Sequence, residues 1–171
     1  AALFWLNAGP LAADGERVYA VKKDKPIGVD AATGEIAVTF ATKYAPARLL
    51  LMHGVLVAVC WEGRDVSKSP LVKGSLWATW VNKTDTGSVE AFDARTGAPK
   101  WSLPVGAHTA LAAGESVYVL AQTGNPPTAQ DVIGVDLRSG KERWRVNHAK
   151  LGGEADLQLS VAGPGYVVVT R

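Results

Sequence analysis

The chain has 171 residues, of which 47% are hydrophobic and 20% charged, with a formal net charge of +2. That length is enough for a sizeable core, and the balance excludes a disordered chain or a charge block that tracks a nucleic-acid backbone. The longest apolar run, residues 45–60, is broken by Arg48, His53 and Gly54 and is too short to cross a bilayer.

The chain opens on Ala1-Ala2-Leu3, without an initiator Met and without a basic stretch leading into an apolar leader. From Leu11 two short phrases alternate. The opening phrase places a Gly just before a β-rich run, first Gly15 before Arg17-Val18-Tyr19-Ala20-Val21. The closing phrase follows as Gly28-Val29-Asp30-Ala31-Ala32-Thr33-Gly34, and eight residues after its Asp stands Val38.

The second unit opens with Gly54 before Val55-Leu56-Val57-Ala58-Val59 and closes with Ala91-Phe92-Asp93-Ala94-Arg95-Thr96-Gly97, followed by Trp101. Between the phrases lies an insertion, Trp61 to Gly87. It holds a charged, turn-rich stretch with Arg64 and an aromatic run with Trp77 and Trp80. Asn82-Lys83-Thr84 fits a glycosylation sequon, a short pattern that arises by chance.

The third unit opens at Gly114 before Val117-Tyr118-Val119-Leu120 and closes with Gly134-Val135-Asp136-Leu137-Arg138-Ser139-Gly140, followed by Trp144. Its loop from Thr123 to Gln130 carries Asn125-Pro126-Pro127, whose adjacent prolines remove donors and predict a rigid rim loop. A fourth opening, Gly163 before Tyr166-Val167-Val168-Val169, runs to Arg171 in the middle of a strand pattern. These ends lead to the expectation that the chain is part of a longer protein.

Each unit reads as a small antiparallel meander. Its runs are short, rich in Val and aromatics, and bounded by Gly, Pro, Asp and Asn, and no segment sustains a helical period. In the closing phrase the Asp accepts from backbone N–H groups two or three residues on, Gly supplies a positive φ, and the Thr or Ser hydroxyl ties the turn down. A meander this small cannot bury a core alone, so the units must stack. The three Asp residues lie 63 and 43 positions apart, the excess being the insertion. Units of about 40–50 residues with four strands are the dimensions of propeller blades.

The repeated small residue, Asp, Thr-Gly and following Trp resemble the repeat of pyrroloquinoline-quinone-type (PQQ-type) β-propellers, over Leu11 to Arg171. The resemblance implies an all-β propeller of four-stranded antiparallel blades, part of a ring that commonly has eight. One propeller over residues 1–171 is expected, with blades at about 11–43, 48–104 and 109–147 and the start of another at 156–171. It also implies a docking motif in which the Trp packs between adjacent blades. That motif comprises Asp30, Thr33 and Gly34; Asp93, Thr96, Gly97 and Trp101; and Asp136, Ser139, Gly140 and Trp144. Val38 departs from it and predicts a looser first junction.

The family contains alcohol and sugar dehydrogenases that use PQQ and calcium, held by adjacent cysteines, a catalytic Asp and a Glu, Asn and Asp set. It also contains propellers without a cofactor, among them bacterial lipoproteins that help assemble outer-membrane barrels. Cys60 is the only cysteine, and its apolar setting predicts a buried thiol. His53, His108 and His148 are isolated in sequence and read as surface or packing residues. No GxSxG, HExxH, GxxxxGK or GxGxxG motif occurs. The expectation is therefore a non-catalytic scaffold or protein-binding module with no cofactor, no nucleic-acid partner and an extracytoplasmic location by family analogy. The alternative is part of a PQQ-dependent dehydrogenase. Arg64, Trp77 and Trp80 are the candidate partner-binding residues, since insertions in repeat proteins map to one face and Trp and Arg are enriched at hot spots.

Overall fold

The computed structural model describes residues 11–61, 86–123, 130–151 and 157–170. They form fourteen strands in four antiparallel sheets, with one 3₁₀ turn at His148–Leu151. The first sheet has β1 (Ala12–Ala13), β2 (Arg17–Lys22), β3 (Lys25–Asp30) and β4 (Ile36–Thr39) in chain order. The second has β5 (Ala45–Met52), β6 (Val55–Trp61), β7 (Gly87–Asp93) and β8 (Pro99–Leu103). The third has β9 (Gly106–Ala113), β10 (Ser116–Gln122), β11 (Gln130–Asp136) and β12 (Glu142–Val146). A two-stranded sheet of β13 (Gln158–Gly163) and β14 (Tyr166–Thr170) follows.

Neighbour-to-neighbour order is what tight turns dictate. Met52 pairs with Val55 across His53-Gly54, both at positive φ (48° and 73°), so the strands return with the twist a two-residue hairpin requires. Lys23 and Asp24 turn β2 into β3 in the same way.

Strands β6 and β10 are buried on both faces, which is why they read as nearly unbroken apolar runs. Alternation along the pleat sends successive residues to opposite neighbours. In β6, Leu56, Ala58 and Cys60 join Tyr19, Val38 and Phe40 of the first sheet and its exit, with Phe92, while Val55, Val57 and Val59 join the core shared with the third sheet. In β10, Val117, Val119 and Ala121 face the second sheet, and Tyr118 and Leu120 face Leu157 and Leu159 of the fourth. The three cores thus lie between sheets rather than within one, the stacking that a propeller demands. The molecule is all-β.

Candidate functional site

The three closing phrases fold identically. Asp30 Oδ1 accepts from the backbone N–H groups of Ala32 (3.0 Å) and Thr33 (2.9 Å) and from the Thr33 hydroxyl (3.2 Å). Asp93 does the same with Arg95, Thr96 and the Thr96 hydroxyl, and Asp136 with Arg138, Ser139 and the Ser139 hydroxyl. The chain then turns at Gly34, Gly97 and Gly140 with φ of 73°, 77° and 71°, values that an L side chain adopts only under strain.

The electrostatic consequence is uniform. Backbone N–H groups favour the ionised carboxylate, so Asp30, Asp93 and Asp136 all sit below the ordinary aspartate range. Asp136 is lowered furthest, by Ser139 N–H first and then by the Arg143 guanidinium that pairs with it. Arg143 and Lys100 occupy one position, the extra residue of a bulge on the outer strand, and Lys100 lies 3.8 Å from Asp93. The first sheet has Ala37 there.

The turns meet the neighbouring sheets differently. In each phrase the residue after the Asp donates its N–H to the inner hairpin of its own sheet: Ala31 to Glu16, Ala94 to Gly54 and Leu137 to Glu115. The carbonyls of Ala94 and Leu137 face the preceding sheet. Between sheets two and three, Trp101 Nε1 donates to the Leu137 carbonyl at 2.8 Å and its ring covers Gly140. A Cβ on Gly140 would stand 2.5 Å from Trp101 Cγ.

Between sheets one and two Val38 occupies that place, against Gly97. Valine has no donor, and Tyr19 and Arg17 supply it. Tyr19 OH, with one proton to give, stands 3.1 Å from Asp14 Oδ2 and 3.4 Å from the Ala94 carbonyl, and Arg17 Nη1 donates to the carbonyls of Ala94 (3.5 Å) and Arg95 (2.8 Å). A cleft of about 290 Å³ remains beside them, bordered by His53, Asp93 and Lys100. Nothing in the closing phrases pointed to Arg17 or Tyr19, because both lie in the opening run.

Trp144 behaves differently from Trp101. Its ring lies over Gly134 of its own sheet and 5.9 Å from Tyr118, and it is 38% exposed. Trp61, read in sequence as the edge of the insertion, instead donates its indole N–H to the Ala107 carbonyl and ties sheet two to sheet three. Arg64, Trp77, Trp80 and the sequon lie outside the described residues, as do residues 124–129 of the proline loop.

One buried polar group escapes the repeat logic. Three residues before the turn aspartate, sheets one and three carry Ile27 and Ile133, but sheet two carries Glu90, only 6% exposed. Its carboxylate accepts from Lys43 N–H at 3.1 and 3.3 Å and from the Ser88 hydroxyl, which holds the linker into β5. A charged residue inside the apolar run of β7 was the available sequence signal. Cys60 is fully buried nearby. Desolvation first, and then the Glu90 charge, push its thiol well above the ordinary range, so the thiolate nucleophile is suppressed.

Among the described residues no group of three or more His, Cys, Asp or Glu side chains is placed to hold a metal ion. With a single cysteine and its recurring aspartates committed to turns, the described part does not fit the PQQ and calcium set implied for the dehydrogenases. No described helix is long and apolar enough to cross a membrane, which says nothing of β-barrels.

The sequence model of the family described as outer membrane protein assembly factor BamB matches residues 4–170. No curated protein matches the chain by sequence. Among solved structures, a europium-containing methanol dehydrogenase superposes with a TM-score of 0.57 at 13% identity, covering 81% of this chain and 24% of that one. The quinohemoprotein alcohol dehydrogenase of Comamonas testosteroni gives 0.55 at 15% identity, covering 80% and 26%. BamB of Moraxella catarrhalis gives 0.44 at 16% identity, covering 81% and 49%. The chain spans about a quarter of the length of the two dehydrogenases, and the likeness to them is one of propeller fold.

Proposed function

The chain belongs to the family of outer membrane protein assembly factor BamB, and from that premise we propose that it is a non-catalytic propeller module that binds another protein. In this reading the partner is a component of outer-membrane protein assembly, and the chain works outside the cytoplasm.

One observation carries the reading. The polar side chains that recur with the repeat are directed at the propeller itself: Asp30, Asp93 and Asp136 lock turns, and Trp101 bonds across a junction. Side chains so committed are scaffold, and specificity then falls to what breaks the repeat. The closing phrases, Trp101 and Trp144 act as docking elements, and the insertion with Arg64, Trp77 and Trp80 is the partner surface.

The test uses the full-length protein. Replacing Trp77 and Trp80 with Ala is expected to weaken capture of the assembly machinery more than it lowers the melting temperature. A lowered melting temperature with unchanged capture would assign those aromatics to packing instead. Dye-linked oxidation of methanol or glucose after adding PQQ and Ca²⁺ is expected to stay at background, and robust turnover would replace this proposal with a quinoprotein dehydrogenase.

A further inference from the structure

We infer that the cleft between the first and second sheets is a carboxylate-binding site, in which Arg95 and Arg17 receive an acidic side chain of a partner chain. It is a second contact for the protein-binding module proposed above and rests on that reading, but on none of the same residues.

The closing turns differ in one charged pair. Gly54 and Glu115 hold the same place, each accepting through its carbonyl the N–H of the residue after the turn aspartate. The residue that follows is Arg95 in the second sheet and Arg138 in the third. Arg138 grips Glu115 at two points, Nε to Oε2 at 2.9 Å and Nη2 to Oε1 at 3.3 Å. In the second sheet the matching carboxylate is missing. Gly54 has no side chain, and a Cβ built there meets nothing within 4 Å. Arg95 instead borders the cleft of about 290 Å³, and among the described residues it has no carboxylate within ion-pair distance.

Arg17 adds a second cation. It pairs with its turn aspartate where the other sheets have Val55 and Ser116. Its Nη1 donates to the Ala94 and Arg95 carbonyls, neutral groups that leave the charge without a counterion. Two carboxylates of the cleft are already committed. Asp14 accepts from the N–H groups of Glu16 and Arg17 and faces the Tyr19 hydroxyl, while Asp93 holds its turn and lies beside Lys100. Glu16 is the bordering carboxylate that opposes an incoming anion. The cleft has room for one side chain rather than a cofactor-sized ligand. A carboxylate from outside can take the two-point geometry that Glu115 takes on Arg138. The occupant is therefore an Asp or Glu side chain on an extended segment, reaching in beside the exposed His53 and Gly54.

NMR titration of the ¹⁵N-labelled full chain with an N-acetylated, C-amidated Gly-Glu-Gly peptide tests this, at pH 7 and low ionic strength. Saturable shifts of the Gly54 amide and the Arg95 Nε–H are expected, at least about tenfold weaker with the Gly-Gln-Gly peptide. Arg95→Gln should abolish the shift at Gly54. Arg138→Gln should leave it unchanged, because that guanidinium is already neutralised within the chain. Glu16→Gln should tighten binding by roughly two- to threefold. An absent shift at Gly54, or an equal response to the glutamine peptide, would overturn the inference. So would a response to glutarate without one to the peptide, which would assign the cleft to a free acid. The peptide comparison uses the native chain, so it decides even where a variant fails to fold, and its outcome is separate from that of the capture assay.

Discussion

Trp101 and Leu137 are joined across the junction of the second and third sheets by an indole N–H donated to a backbone carbonyl at 2.8 Å. The bond puts the ring over Gly140, so one side chain supplies both the apolar contact and the partner for an otherwise open carbonyl.

Truncating this side chain tests its weight. Trp101→Ala is expected to cost about 3–5 kcal/mol in urea unfolding, from lost area and the cavity left behind. Trp101→Phe keeps most of the area and is expected to cost about 1–2 kcal/mol, the scale of one unsatisfied carbonyl. Trp144→Ala should cost clearly less than Trp101→Ala, because that ring is 38% exposed. Equal losses at the two positions would mean that Trp144 is covered in solution.

The first junction depends on different chemistry. Tyr19→Phe removes the hydroxyl shared between Asp14 Oδ2 and the Ala94 carbonyl while leaving Arg17, and is expected to cost about 0.5–1.5 kcal/mol. The double change with Arg17→Ala should exceed the sum of the single ones, since it leaves the carbonyl without either donor. A double-mutant cycle in urea measures this, and strict additivity would refute a shared role.

Acid should weaken the closing turns in a definite direction. Asp93 and Asp136 titrate below the ordinary aspartate value of 3.8 when folded. Their contribution is therefore complete above the unfolded value and is lost as pH falls from about 4 through the lower folded values. The urea midpoint followed from pH 7 to pH 2 should drop across that acidic range. Asp136→Asn should flatten the drop more than Asp30→Asn, because Arg143 adds to the backbone bonds only at Asp136.

Cys60 provides a probe of the first junction. Its side chain is fully buried and its thiol is held protonated, so Ellman's reagent at pH 8 should react only as the junction opens. Tyr19→Phe should accelerate labelling, and Trp101→Phe should do so less, because Cys60 faces the first sheet and Trp101 the third. Rapid labelling of the native protein would contradict the burial described above.

The amino-acid sequence by itself determined what is local. A carboxylate bonded two and three residues on, a glycine at positive φ and a Val-rich run with alternate faces are set within one phrase of seven residues. For that reason three turns and the all-β class were legible without coordinates. The partners across junctions were not. Trp101 meets Leu137 from 36 residues away and Arg17 meets Arg95 from 78, and no periodic pattern encodes which carbonyl a side chain will face. Tertiary structure decided that Tyr19 and Arg17 stand in for a missing tryptophan, that Trp61 belongs to a junction, and that Glu90 is buried to hold Lys43. Each of these follows from satisfying a polar group that stacking removes from water, a demand that exists only once the sheets are packed.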